Sequence, residues 1–177
     1  MKAADLSMVF AIECIIACAL FTIMLEIICA KRREVFTNDY PPIAIEKLRD
    51  MNIVSKKPPT KKSDIIRKVI AIIVYALLFT IVLRFINEIS SFLKATITAY
   101  LLWLVVDWYD FLVIDVLLAP FDKFYKMAKV SLFDKSAVWF HFKGSVKGMI
   151  IGLIFAPIVG LMVMLLQLIF YFVTYIC

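Results

Sequence analysis

Long stretches of this 177-residue sequence lack charge altogether. Met149 to Cys177 carries none, and neither does Val69 to Leu83. Charged residues make up 19% of the chain against 64% hydrophobic, and the mean hydropathy is +0.95. A soluble domain is roughly 45–50% apolar, buries one core and keeps a mixed surface. Here several apolar stretches would be left over, and only lipid can take them. Histidine is scarce too, with His141 alone. There is no Cys-x-x-Cys pair either, so a zinc site of the usual kind is not expected, and no cofactor motif is found. Flanked by Phe140 and Phe142 beside Lys143, His141 reads as an interfacial side chain ahead of a catalytic one. Cys14 and Cys18 lie four apart on one helical face, where rigid helix geometry disfavours a disulfide.

What is present is four apolar stretches. Residues 7–30 are broken only by Glu13 and Glu26, and residues 69–89 only by Arg84 and Glu88 near the end. Residues 95–119 contain Asp107, Asp110 and Asp115, and residues 149–175 are uncharged. Each reaches the ~20 residues a helix needs to cross ~30 Å of hydrocarbon. A β-barrel would alternate polar and apolar residues with period two, which IAIIVYALLFTIVL does not do. The first stretch is too long for a signal peptide, and its cations Lys31, Arg32 and Arg33 follow it. The expected fold is all-α: a four-helix transmembrane bundle forming a single membrane domain.

The cations predict its direction. Residues 31–68 and 120–148 are rich in lysine and arginine, whereas the opposite side has Lys2 and Lys94, with Arg84 near it. Positive charge stays cytoplasmic during insertion, so both long connections are expected inside and both termini outside. The net charge of +6 is then a topology signal and a basic face for anionic lipid headgroups. No nucleic-acid-reading module accompanies it. Within the first connection, Pro41 and Pro42 open a short helix over about residues 41–52. In the second, FDKFYKMAK sets Phe121, Phe124, Tyr125 and Ala128 opposite Lys123, Lys126 and Lys129, a pattern suited to a helix in the headgroup region. The alternative is a continuation of the third helix, broken at Pro120.

Three features inside the membrane carry information. Gly144, Gly148, Gly152, Ala156 and Gly160 fall four apart and include every glycine of the chain. Successive members rotate by ~40°, a slowly winding stripe that admits another backbone closely. Glycine weakens a helix, so the stripe predicts packing, against a helix of the same chain or across a homo-oligomer seam. Pro157 should kink this helix. The second feature is acidic. Asp107 and Asp110 share a face, while α-helical winding places Asp115 about 140° round from Asp110. An acid at the bilayer centre costs ~2.5–3.5 kcal/mol, so such residues face protein or a wet cavity. No lysine or arginine lies at the depth of Asp107 and Asp110, which predicts shared protons or a bound cation. Asp115 is near enough to Lys123 and Lys126 to read as an ordinary interfacial charge. The third feature is Arg84, four residues before Glu88 and level with Glu13, an expected interhelical ion pair that clamps packing.

Three functions can use unpaired intramembrane acids. Carboxylates facing a cavity can couple to proton or cation movement. They can instead hydrogen-bond Tyr75, Thr80 or Thr22 and lock the bundle of an accessory subunit with a partner membrane protein. In a lipid enzyme, aspartates hold Mg²⁺ against a phosphate. The spacing D-x-x-D-x-x-x-x-D is loosely similar to the motif of membrane prenyltransferases, but it departs from their spacing, lacks a second motif and sits among too few helices. The segments NDYPPIAIEKLRDMNIV, LLWLVVDWYDFLVID and HFKGSVKGMIIG, in this order and spacing, resemble an uncharacterised group of small bacterial four-helix membrane proteins. That resemblance spans Asn38 to Gly152. It implies a four-helix fold in a bacterial cytoplasmic membrane and draws attention to Trp103, Asp107, Asp110, Asp115 and His141. The expected function is transport or conduction of a cation or proton-coupled solute through Asp107 and Asp110.

Overall fold

Apolar helical runs, started by polar caps and stopped by left-handed residues, make up the computed structural model, which describes residues 3–32, 37–55, 60–118, 121–131 and 134–176. Pro120, Cys177 and the 56–59 part of the first basic connection lie outside the described residues. The helices are α1 (Ala3–Arg32), α2 (Pro42–Asp50), α3 (Lys61–Ile81), α4 (Phe92–Tyr109), α5 (Lys123–Ala128) and α6 (Lys135–Ile176). α3 and α4 each run on into a wider π-helical segment, Val82–Ile86 and Asp110–Leu117. Among the described residues there is no strand. Four helices are long and apolar enough to cross a membrane, over Met8–Ile27, Lys62–Ile86, Phe92–Leu117 and Lys135–Tyr175.

Two of these begin earlier than the charge pattern suggested. Thr60 accepts a hydrogen bond from the Ser63 amide at 3.3 Å, so α3 starts at Lys61 and carries its basic first turns as helix. Asp134 accepts from the Ser136 amide at 2.9 Å and from its hydroxyl, and α6 begins at Lys135. Those two bonds hold the Asp134 carboxyl below the ordinary aspartate range, the hydroxyl contributing most. Nothing between Lys135 and Met149 breaks a helix, because isolated glycines cost only about 1 kcal/mol each. The second half of the 120–148 connection is therefore helix. At 42 residues, α6 is about 63 Å long, roughly twice the hydrocarbon thickness of a bilayer.

The chain divides into two compact units, Met1–Asp64 with Val105–Lys147, and Ile65–Leu104 with Gly148–Cys177. In the first, α2 and α5 pair. Pro42 starts α2 where its missing N–H is no loss. Asn52 ends it in a left-handed conformation (φ 56°), with Asn52 N–H donating to Arg49 and Ile53 N–H to Leu48. α5 repeats the device: Asp122 caps the amides of Phe124 and Tyr125, and Lys129 is left-handed (φ 49°). Ala44, Ile45, Leu48, Val54, Phe124 and Ala128 close into a core under Tyr40 and Val130. The apolar face of α5, expected to lie among headgroups, is thus covered by α2, because Phe124, Tyr125 and Ala128 find protein there. Phe121 alone of that set stays exposed.

In the second unit, α3, α4 and α6 share a core. Phe155 of α6 meets Phe79 of α3 edge-on at 5.5 Å and Trp103 of α4 at 4.5 Å. Trp103 Nε1 donates to the Gly148 carbonyl at 2.9 Å. A Cβ on Gly152 would lie 2.5 Å from the Trp103 ring, and one on Gly160 would meet Thr96 and the Phe92 carbonyl. Gly144 has nothing within 4 Å of such an atom, and Ala156 is buried. Arg84 corrects the expected pairing with Glu88. The π-helical segment ends at Ile86 and Glu88 adopts φ 54°, so the two no longer sit on neighbouring turns of one helix. The Arg84 guanidinium lies over the Phe85 and Phe170 rings, at 5.9 and 5.7 Å, and its Nε has no hydrogen-bond partner among the described residues. Glu13 belongs to the first unit.

The glycines give a paired prediction. Gly160→Ala forces a methyl against a backbone carbonyl that cannot step aside, and should destabilise the protein by about 1–3 kcal/mol. Gly144→Ala fills open space and gains helix propensity, so it should be neutral or stabilise by up to about 1 kcal/mol. Thermal unfolding in detergent, followed by circular dichroism, ranks the two.

Candidate functional site

α4 brings Asp107 and Asp110 onto one face, three residues apart. At Asp110 the winding changes from α to π, and the Leu118 amide donates to the Val113 carbonyl, five residues back, at 2.8 Å. This changes the geometry of the acids. α-Helical winding would set Asp115 well round from Asp110, whereas i→i+5 bonding brings residues five apart towards one side of the helix. Asp110 and Asp115 accordingly act on each other electrostatically, and Asp107 acts on Asp110. Asp39, in the short turn Thr37–Asp39 before α2, is also within electrostatic reach of Asp110 and Asp115. Four acids from two segments thus belong to the first unit, and Asp110 is within electrostatic reach of the other three.

Asp115 is not an interfacial charge held by Lys123 and Lys126. Its Oδ2 lies 2.7 Å from His141 Nδ1, and both side chains are mostly buried, His141 to 7% exposure and Asp115 to 26%. On its other side, His141 Nε2 is 2.6 Å from the Tyr125 hydroxyl. π-Helical winding turns Asp115 toward α6, and the length of α6 places His141 opposite it. Asp122 then fixes the first turn of α5 and so orients Tyr125. Tyr40 packs on Tyr125 at 5.6 Å and donates its hydroxyl to Asp122 at 3.0 Å. Phe111 and Phe142 pack edge-on at 5.9 Å, with Trp108 and Trp139 against Phe142, forming an apolar wall beside the histidine's helix.

Asp107 is held differently. Its Oδ2 is buried with no hydrogen-bond partner among the described residues. Two of the three hydroxyls expected to satisfy the acids are committed elsewhere: Thr22 bonds Tyr109 at 2.8 Å and its own helix at Cys18, and Thr80 donates to Ala76 at 2.7 Å. Among the described residues, no three His, Cys, Asp or Glu side chains are grouped so as to hold a metal ion. The residues that reasoning from the sequence passed over are Asp39, Tyr125 as a polar partner, and His141 as the centre of a chain. Their signal was weak because the partners are far apart in sequence and the π-helical change of phase leaves no mark in composition.

Burial pushes the Tyr125 phenol well above the ordinary tyrosine range, and nearby Asp115 and Asp122 push it the same way. The neutral phenol is the form the fold favours. Its contribution to stability is present below the ordinary tyrosine value of about 10 and is lost as pH rises towards the folded value. At pH 11 an exposed tyrosine is mostly ionised, so the ultraviolet phenolate signal of the native protein should be unchanged by Tyr125→Phe. A signal smaller by one tyrosine in the variant would contradict this burial. No family model, curated protein or solved structure matches the chain.

Proposed function

We propose that this chain is an integral membrane protein that moves a small cation or a proton-coupled solute, using Asp107 and Asp110. The observation that carries this reading is the grouping of Asp39, Asp107, Asp110 and Asp115 in one unit, with Asp107 Oδ2 unpartnered. Anionic groups brought together at low dielectric repel one another strongly unless a proton or cation joins them. A fold that keeps them together is one that receives such a species. A purely structural role would give each acid a fixed donor, and Asp107 Oδ2 has none among the described residues.

In this reading the four apolar helices cross a bacterial cytoplasmic membrane, with both termini outside. Supporting that direction are the cations of the two long connections, including Lys47, Arg49, Lys62 and Lys68 in one and Lys123, Lys126, Lys129, Lys135, Lys143 and Lys147 in the other. The apolar side chains left on the helices, such as Ile15 at 70% exposure and Ile154 at 66%, suit acyl chains. The basic face suits anionic headgroups.

Two experiments test the reading. Purified protein in liposomes should pass protons or a monovalent cation, and Asp107→Asn or Asp110→Asn should each lower the flux to that of empty liposomes. Flux unaffected by both substitutions, or absent from the wild type, overturns transport. A cysteine added at either terminus of a variant lacking the native cysteines should react with a membrane-impermeant thiol reagent in intact cells. Labelling that requires permeabilised cells reverses the orientation.

A further inference from the structure

We propose that Asp115, His141 and Tyr125 form a proton relay joining the acid group of α4 to the α5 side of the first unit, and that the species moved is the proton itself. This rests on the transport reading above and narrows it. The chain is continuous: Asp115 Oδ2 to His141 Nδ1 is 2.7 Å, and Nε2 to the Tyr125 hydroxyl is 2.6 Å. Each member comes from a different helical segment, namely the π-helical end of α4, α6 and α5. Both nitrogens of the imidazole are engaged at once, one toward an acid and one toward a phenol.

A buried histidine held on both sides is often only a satisfied core residue. What separates this one from that case is where the chain leads. Asp115 lies next to Asp110 along the π-helical face, and Asp110 lies beside Asp107, whose Oδ2 is unpartnered. A clamp would end at Asp115, whereas here Asp110 and Asp39 act on it, and Asp107 in turn acts on Asp110. Among the described residues, the groups acting on the relay include Asp110 on α4, Asp39 in the turn before α2, Tyr40 packed on Tyr125, and Asp122 at the head of α5. The acids among these neighbours favour uptake of protons over anions.

One passage balances without an ionised phenol. Asp115 begins protonated, and its O–H donates to Nδ1. The ring carries its proton on Nε2, which donates to the phenol oxygen, and the relay requires a water beyond the buried phenol to which its O–H donates. Asp115 gives its proton to Nδ1, Nε2 gives its proton to the phenol oxygen, and the phenol releases its original proton to that water. Three bonds to hydrogen break and three form. At the end the Asp115 carboxylate accepts from Nδ1–H, and the phenol donates to Nε2. Returning the ring to its Nε2–H tautomer for the next proton takes one exchange with water, in which Nε2 gains a proton and Nδ1 loses one. The burial that keeps the Tyr125 phenol neutral suits it to this part, because it passes a proton without becoming a trapped phenolate.

His141 is the one histidine of the chain, which makes the test direct. In full-length protein labelled with ¹⁵N-histidine in lipid bilayers, nuclear magnetic resonance should show both imidazole tautomers in exchange. Asp115→Asn should abolish that exchange. Proton flux into vesicles, read with a trapped pH dye under an imposed potential, should fall to background in His141→Gln and Tyr125→Phe, with helicity unchanged. A single fixed tautomer overturns the relay whatever the flux measurements show. Proton flux that survives His141→Gln also overturns it while leaving transport through Asp107 and Asp110 standing. So does a wild type that passes sodium in an Asp107-dependent way but no protons. If the wild type passes no ion, the transport reading falls, and tautomer exchange lost in Asp115→Asn then still supports proton transfer along this chain.

Discussion

A carboxyl group removed from water needs hydrogen-bond donors or a shared proton, and the first unit is arranged around meeting that need for Asp115. The histidine that meets it sits on α6, so α6 must run far enough to reach the level of Asp115, and it does so by starting at Lys135. The second nitrogen of that ring then needs its own partner, which brings in Tyr125 and with it α5. α5 is only six residues long and could not persist alone. It is held by Asp122 at its head, Lys129 at its tail and α2 along its face. From one buried acid, the requirement for partners passes through three helical segments to a small core around Leu48.

The local winding of α4 makes this possible. A single α-helix from Phe92 to Leu117 would turn Asp110 and Asp115 to different faces, and His141 could engage one only at the expense of their nearness. Widening the last eight residues to π geometry turns the two acids towards the same side. Widened turns have weaker backbone packing than α-helix and persist where surrounding contacts hold them. The ring pairs of Trp108, Phe111 and Phe142 supply such contacts beside the acids.

In the second unit, by contrast, close packing at glycines holds α4 and α6 together, with a hydrogen bond from Trp103 to the Gly148 carbonyl. Gly152 makes room for the Trp103 ring and Gly160 for the Phe92 carbonyl, so α4 and α6 pack closely at both points. Ala95 and Ala99, both fully buried, continue the same principle on α4. Arg84 shows the other side of an apolar setting. With Glu88 carried off the helix, its guanidinium is accommodated on aromatic faces.

Much of this was legible in the sequence, and the divide follows range. Hydropathy sums over neighbouring residues, so the four apolar helices could be read from runs such as Met149 to Cys177. Caps and stops are likewise local, as the Pro41–Pro42 start of α2 shows. The acidic face of Asp107 and Asp110 follows from α-helical spacing alone. What tertiary structure decided is whatever depends on phase and distance. The π-helical turn that brings Asp115 beside Asp110, and the reach of α6 that sets His141 between Asp115 and Tyr125, arise from contacts between residues far apart in sequence. No window of composition encodes them, because a hydrogen bond across sixteen residues, from Tyr125 to His141, is formed only once three separate helical segments have packed.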